Sequence, residues 1–355
     1  MPAPADEPTN RNPDIVVRVE GRLGRITLNR PERINALTLD MIMAVRAALD
    51  EWVGDPRVAL ILIDGAGERG LCAGADVRLL YDGIREEDVP PMTFWGDEYR
   101  MNSALSHFPK PVVAYMHGIT LGGGVGISAH GSVRIVTETS QVGMPETAIG
   151  LCPDVGGLYL LSRAPGELGT HAALAGARLG PADAIEAGLA DWFVPSNELA
   201  AVTQGLRRGV VGDLGNHRPP PGLPADQRRW IDQCYPGDDV EAIIQRLRRH
   251  PEAAARQTAQ SLQSMAPTAL EVTLMAIRRA SSMTLDEVLD QDLRVSSRFM
   301  DHPDMSEGIR AALVDRDRTP RWSPARLDEL DRAHLESFFA PLDPSQELGL
   351  SPRSG

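Results

Sequence analysis

The stretch Leu121-Gly122-Gly123-Gly124-Val125-Gly126 decides how this chain is read. Three adjacent glycines, lacking Cβ atoms, let other atoms approach the backbone and leave N–H groups open to a ligand oxygen. Two readings follow: half of an oxyanion hole, or a tight turn in which backbone packs on backbone. A dinucleotide fingerprint fits less well, because the run lacks the order G-x-G-x-x-G and no suitably placed acid follows it.

Outward from the glycines, residues 112–116, an apolar run, and residues 133–136, apolar but for Arg134, predict buried strands, with a short helix between them. Residues 58–63 form a third such run, closed by Asp64-Gly65. Further upstream, Ile15, Val17 and Val19 alternate with other residues, the chain turns at Glu20-Gly21, and Ile26 and Leu28 resume the alternation of a hairpin. Residues 39–53 carry Ile42, Val45, Ala48, Leu49 and Trp52 at helical spacing. The class is therefore α/β. After about Val194 the strand signals stop, and helices follow with a break at Pro219-Pro220-Pro221. Thr284-Leu285-Asp286-Glu287 has capping-box spacing before a helix whose apolar positions include Leu285, Val288, Leu289 and Leu293. The expected organisation is a disordered tail over 1–12, an α/β core over 13–200 and a helical region over 201–345 that completes or covers the site.

With 355 residues, 42% of them hydrophobic and 24% charged, the chain can bury a large core. A net charge of −13 disfavours a nucleic-acid groove or a polybasic membrane anchor, so a small molecule or further copies of the chain are the expected partners. Cys72, Cys152 and Cys234 are odd in number and lack CxxC spacing, which fits neither a disulfide framework nor a zinc site. The N-terminus has no basic and apolar leader, and no apolar run reaches bilayer length, so a soluble cytoplasmic protein without membrane partners is expected.

Cys72-Ala73-Gly74-Ala75-Asp76 is a second place where small residues lead into a helix start and offer backbone donors. Glu146 follows Pro145 beyond a strand; Asp154 follows Pro153 and precedes Val155-Gly156-Gly157. Pro153 keeps the two acids off one continuous helix, and a folded-back loop would bring them together. Read blandly, Glu146 is a solvated loop acid and Asp154 a helix N-cap. Cys72 and Cys152 read as small buried hydrophobes, and His117 and His130 as structural. Arg78 is either a surface residue or a partner for a phosphate.

Taken together, these segments resemble the enoyl-CoA hydratase/isomerase (crotonase) superfamily and, within it, the 3-hydroxyisobutyryl-CoA hydrolase family. The matching pieces are Leu28-Asn29-Arg30-Pro31 through Asn35-Ala36-Leu37, the Cys72 to Asp76 loop, Lys110-Pro111 through Thr120, the glycine run, and Met144-Pro145-Glu146 through Gly157. Glu307-Gly308-Ile309-Arg310-Ala311 and Asp315-Arg316-Asp317 through Trp322 resemble the hydrolases' C-terminal pattern. The resemblance implies a ββα spiral core with a C-terminal helical region. It implies an acyl-CoA substrate, with coenzyme A part of that substrate and no further cofactor or metal, and a homo-oligomer as one arrangement known in the superfamily.

Carried onto this chain, the resemblance implies Ala75 and Gly123 as N–H donors to the thioester oxygen. It implies Glu146 and Asp154 as catalytic acids, Glu98, Gly122 and Asp76 at the substrate, and Arg33 and Arg78 near the CoA phosphates. Hydratases of the superfamily carry a catalytic glutamate two residues after the glycine triplet; here that residue is Gly126. The expectation is accordingly thioester hydrolysis of a short 3-hydroxyacyl-CoA. The alternatives are a hydratase or isomerase using Glu146 alone and a non-catalytic acyl-CoA binding protein.

Overall fold

The computed structural model describes residues 12–78 and 91–350; the expected N-terminal tail lies, but for Asn12, outside the described residues. The hairpin forms as β1 (Ile15–Glu20) and β2 (Leu23–Leu28), and β3 (Leu60–Gly65) pairs parallel to β2. Strand β3 starts two residues later than the apolar run, because the Val58 N–H is used by the carbonyl of Asp55 in the preceding turn. Parallel strands β4 (Val112–Tyr115), β6 (Val133–Val136) and β8 (Trp192–Phe193) extend a six-stranded sheet in the order β1-β2-β3-β4-β6-β8. Helix α1 (Leu39–Trp52) starts where the Thr38 side chain accepts the Met41 N–H and lays Ile42, Val45, Leu49 and Trp52 onto the hairpin. A Cβ on Gly24 would stand 2.6 Å from the Trp52 ring, so the strand beneath the indole has no room for a side chain.

Between consecutive strands of the large sheet the chain also visits a smaller layer. After β3, residues 70–72 run beside β5 (Ile119–Leu121), with Cys72 N–H to Ile119 O at 3.1 Å and Leu121 N–H to Cys72 O at 2.9 Å. After β6, β7 (Gln141–Gly143) pairs parallel to β5 and then bridges Leu179. Helices α2 (Pro91–Ser106) and α3 (Gly123–Ala129) return the chain to the next turn. This repeated strand, strand, helix path is the expected spiral. Beyond β8, the regular elements among the described residues are helices; Leu206 of the first α-helix packs with Leu60 and Val113, and the later ones share the main apolar cluster of the spiral, joining Leu158 and Val155 to Leu289, Leu293 and Phe299. The capping box at Thr284 and Glu287 forms as its spacing predicts.

Asn35 fixes the loop that leads to Ala75. Its fully buried amide donates towards the carbonyls of Ala66, Gly70 and Leu71 at 3.0–3.1 Å and accepts the Arg30 N–H at 2.9 Å. It sits at φ 54°, a left-handed conformation that asparagine tolerates better than most residues. Removing the amide strands buried carbonyls, so Asn35→Ala is expected to cost about 3 kcal/mol or more. Thr284→Ala, which removes one exposed cap, is expected to cost about 1 kcal/mol. Urea melts that put the two variants in the opposite order would contradict this account of the loop.

Candidate active site

Helix α3 is shaped by what stands in the places of its missing side chains. Gly122, at φ 52° and ψ −122°, turns the chain from β5 into the helix; a Cβ there would lie 2.6 Å from Glu146 Oε1. A Cβ on Gly123 would lie 2.5 Å from Glu98 Oε1, and one on Gly126 would lie 2.4 Å from Asn102 Nδ2 and 2.7 Å from Val155 Cβ. Each glycine thus yields its side-chain volume to a polar head or a strained loop arriving from another element. The helix and the acids are cast against each other.

Two backbone donors meet at this point. Leu37 N–H bonds the carbonyl of Gly74 and the Asp76 N–H bonds the carbonyl of Leu37, each at 2.9 Å, so the alternation of extended backbone turns the Ala75 N–H to the opposite side. The missing Gly123 Cβ lies 3.3 Å from that nitrogen. Gly123 opens α3, where an N–H has no acceptor within the helix. The Cys72 to Asp76 loop and the glycine run therefore present neighbouring N–H groups.

The acids converge from three elements. Glu98 is 1% exposed on α2, Glu146 opens a 3-10 turn over Glu146–Ile149, and Asp154 lies in the loop before helix Gly157–Leu161; the latter two are partly buried. That helix has no side-chain cap, so Asp154 is not its N-cap. Tyr99 donates to Asp154 Oδ2 at 2.6 Å and is 2.9 Å from Ser296 Oγ. Burial carries the Asp154 carboxyl up to about 6 against the hydrogen bond from Tyr99, which favours its anion. Burial, then the charge of Asp154, pushes Glu146 and Glu98 well above the ordinary carboxylate range. Among the described residues no arginine or lysine pairs with Glu98, Glu146 or Asp154. Among the same residues Glu98 Oε1 and Glu146 Oε2 find no hydrogen-bond partner.

Val155, next to Asp154, holds φ 51°, an uncomfortable value for a β-branched residue. Two groups clamp it. His130 Nε2 is 2.7 Å from the Val155 carbonyl, which can only accept, and burial lowers this imidazole to about 4, so it is neutral with its proton on Nε2. Asp292 Oδ2 accepts the Gly156 N–H at 2.8 Å from helix Leu285–Met300, the helix that also supplies Ser296. The Glu146 turn is held from the C-terminal side too: a Cβ on Gly308 would stand 2.1 Å from the carbonyl of Ile149. Arg310 then binds Glu307, at 2.8 Å, and both Asp315 and Asp317, which ties together the C-terminal residues singled out in the sequence.

The structure therefore brings Ala75, Glu98, Gly122, Gly123, Glu146 and Asp154 together. Asp76 follows Ala75 but its carboxylate is 3.0 Å from Arg30. Arg33 is exposed in a 3-10 turn over Pro31–Arg33, and Arg78 is exposed at the end of the described segment. Sequence reasoning passed over Tyr99, Asn102, Asp292 and Ser296. Their signal is a polar residue inside an apolar stripe: Asp292 and Ser296 continue the buried face of Leu285, Val288 and Leu289 at helical spacing. A separate open cleft of about 760 Å³, lined by Glu271, Asp239, Leu270 and Leu335 among others, contains none of these residues.

The family model described as enoyl-CoA hydratase/isomerase matches residues 23–339. The chain is 38% identical over 351 residues to the mitochondrial 3-hydroxyisobutyryl-CoA hydrolase of Homo sapiens, a match covering 95% of this chain and 91% of that one. For the same-named protein of Xenopus tropicalis the identity is 37%, over 94% of this chain and 90% of the relative. Among solved structures it is similar to a carnitinyl-CoA dehydratase from Mycobacterium thermoresistibile, with TM-score 0.90, 46% identity and coverage of 95% and 98% of the two chains. An enoyl-CoA hydratase from Rhodobacter sphaeroides 2.4.1 gives TM-score 0.90, 42% identity and coverage of 94% and 99%. Matched over nearly its whole length by this family model and by these relatives, the chain belongs to the enoyl-CoA hydratase/isomerase (crotonase) superfamily and, within it, to the 3-hydroxyisobutyryl-CoA hydrolase family.

Proposed function

We propose that the protein hydrolyses the thioester of a short 3-hydroxyacyl-CoA, with 3-hydroxyisobutyryl-CoA, the compound in its curated relatives' name, as the substrate. The observation that carries this reading is the Glu146 carboxyl, packed by Oε1 against Gly122 next to Gly123 and with Oε2 unpartnered among the described residues, together with the absence of a carboxylate at position 126. The thioester oxygen sits between the N–H groups of Ala75 and Gly123. These stabilise the oxyanion by a few kcal/mol per donor, so the reading calls for no metal or further cofactor. Glu146 adds through a carboxylate oxygen to the carbonyl carbon, the C–S bond breaks, and CoA thiolate leaves an acyl anhydride on Glu146. Water then cleaves the anhydride, releasing the acid and restoring the carboxylate. Asp154 guides protons or holds the 3-hydroxyl, Glu98 faces the acyl group with Gly122 and Asp76 alongside, and Arg33 and Arg78 suit the CoA phosphates. Three buried free thiols suit a reducing compartment, the cytoplasm in our reading.

A direct variant has Glu146 act as general base on the attacking water. Single turnover in ¹⁸O-water distinguishes them, since label recovered in Glu146 is incompatible with direct attack. Glu146→Gln is expected to lower kcat by about 10⁴-fold or more for a nucleophile and by about 10²- to 10⁴-fold for a base.

Hydration of a double bond is the second reading, favoured by the names of the two solved structures. It lacks room for a second carboxylate, because Asn102 and Val155 fill the space at Gly126. Release of free thiol from 3-hydroxyisobutyryl-CoA, with crotonyl-CoA left unhydrated, is the expected result; the reverse pattern replaces our reading with this one. A protein that binds CoA esters across a panel and turns over none would be a binding protein instead.

Acid pH should inactivate the enzyme as the neighbouring carboxyls of Glu146 and Asp154, both raised by burial, take up protons, Asp154 near pH 6. The Tyr99 hydroxyl stabilises the Asp154 anion, so Tyr99→Phe raises that carboxyl and moves the acid limb of kcat/KM to higher pH by about one unit. An unmoved or lowered midpoint would remove Tyr99 from this role.

A further inference from the structure

Asn102 stands apart among the buried polar groups. It is fully buried, and neither Nδ2 nor Oδ1 has a hydrogen-bond partner among the described residues. A buried amide with both head atoms unbonded lowers stability relative to an apolar side chain of the same shape. Its position gives that cost a use. Glu98 and Asn102 are four residues apart on α2, and Gly123 and Gly126 are three apart on α3, so each pair shares a helix face. The two faces oppose each other, Glu98 Oε1 filling the place of a Gly123 side chain and Asn102 Nδ2 that of a Gly126 side chain. The seam thus offers one free amide donor and two free acceptors, Asn102 Oδ1 and Glu98 Oε1, beside the Ala75 and Gly123 N–H groups.

A hydroxyl needs this set: one acceptor for its proton and one donor for its oxygen. We infer that Asn102 is a specificity-determining residue which, with Glu98, seats a hydroxyl carried by the acyl group. The seat rests on the acyl-CoA reading above and deepens it. Nδ2 donates to the hydroxyl oxygen, and the hydroxyl proton goes to Glu98 Oε1 or Asn102 Oδ1. Asp154, one of whose oxygens is occupied by Tyr99, is then left to move protons. An acyl group without the hydroxyl leaves the amide unpaired and binds less well.

The test uses two CoA analogues in which a methylene replaces the thioester sulfur, one bearing a 3-hydroxyl and one without it. Calorimetry measures their binding to the wild-type protein and to Asn102→Leu. Wild type is expected to prefer the hydroxylated analogue by about tenfold or more. In Asn102→Leu that preference is expected to fall to about threefold or less, with affinity for the deoxy analogue held within about threefold and the Tm equal or higher. No preference in the wild type, a preference kept by the variant, or equal weakening of both analogues with a lowered Tm would overturn the assignment. Thiol release by the wild type is read separately. Its failure while the hydroxyl preference persists would sink the proposed reaction and leave the seat standing.

Discussion

Carboxyl groups crowded together without a counter-cation repel one another and resist burial, and the rest of this structure is arranged to hold them in place. Glu98, Glu146 and Asp154 share one small region, with Asp292 behind it, itself raised by burial and by the charge of Asp154. Left to themselves, such groups would swing to solvent or unfold the loops that carry them. Each is instead anchored through backbone from outside the cluster. The Asp154 loop is gripped by His130 and Asp292, the Glu146 turn is pinned under Gly308, and Glu98 rides on a helix against α3. Because burial raises these carboxyls above their unfolded values, they retain protons in the folded state that the unfolded chain has lost. Their contribution to stability therefore declines as pH rises from the ordinary carboxylate range towards the raised values.

The C-terminal helices belong to this machinery. Helix Leu285–Met300 sends Asp292 and Ser296 to the Asp154 loop and to Tyr99, and the segment around Gly308 buttresses the turn that starts with Glu146. Backbone pairing brings the Ala75 and Gly123 N–H groups together within the spiral. Side chains 136 and 197 residues downstream of their partners fix its acids. Asp304 adds to the same bracing by accepting the Ser323 N–H at 2.7 Å.

Most of the spiral was legible because its signals are local. Apolar runs mark strands, the hairpin alternates, and Thr284 caps its helix as spaced. Residues in the two N–H loops were legible as small residues at helix starts, and the family pattern around Glu146 and Asp154 singled out these two acids, which the fold brings together. What stayed hidden depends on contacts across long sequence separations. Nothing near Asn102 announces that Gly126 leaves it room, and nothing near Asp292 announces a free N–H at Gly156. Asp76 illustrates the opposite limit, since a position that the family pattern assigns to the substrate pairs with Arg30, a partner that only the fold reveals.

The crowding at Gly126 bears on how such enzymes diverge. A glutamate introduced there would collide with the Asn102 amide and with Val155, whose backbone is already strained. Passage between a one-glutamate and a two-glutamate site on this scaffold therefore cannot run through that single substitution. It requires the helix bearing Asn102 and the loop bearing Val155 to change in concert, and intermediates with only one change carry either a clash or a void. Packing, more than chemistry, erects the barrier that keeps two reactions on one fold apart.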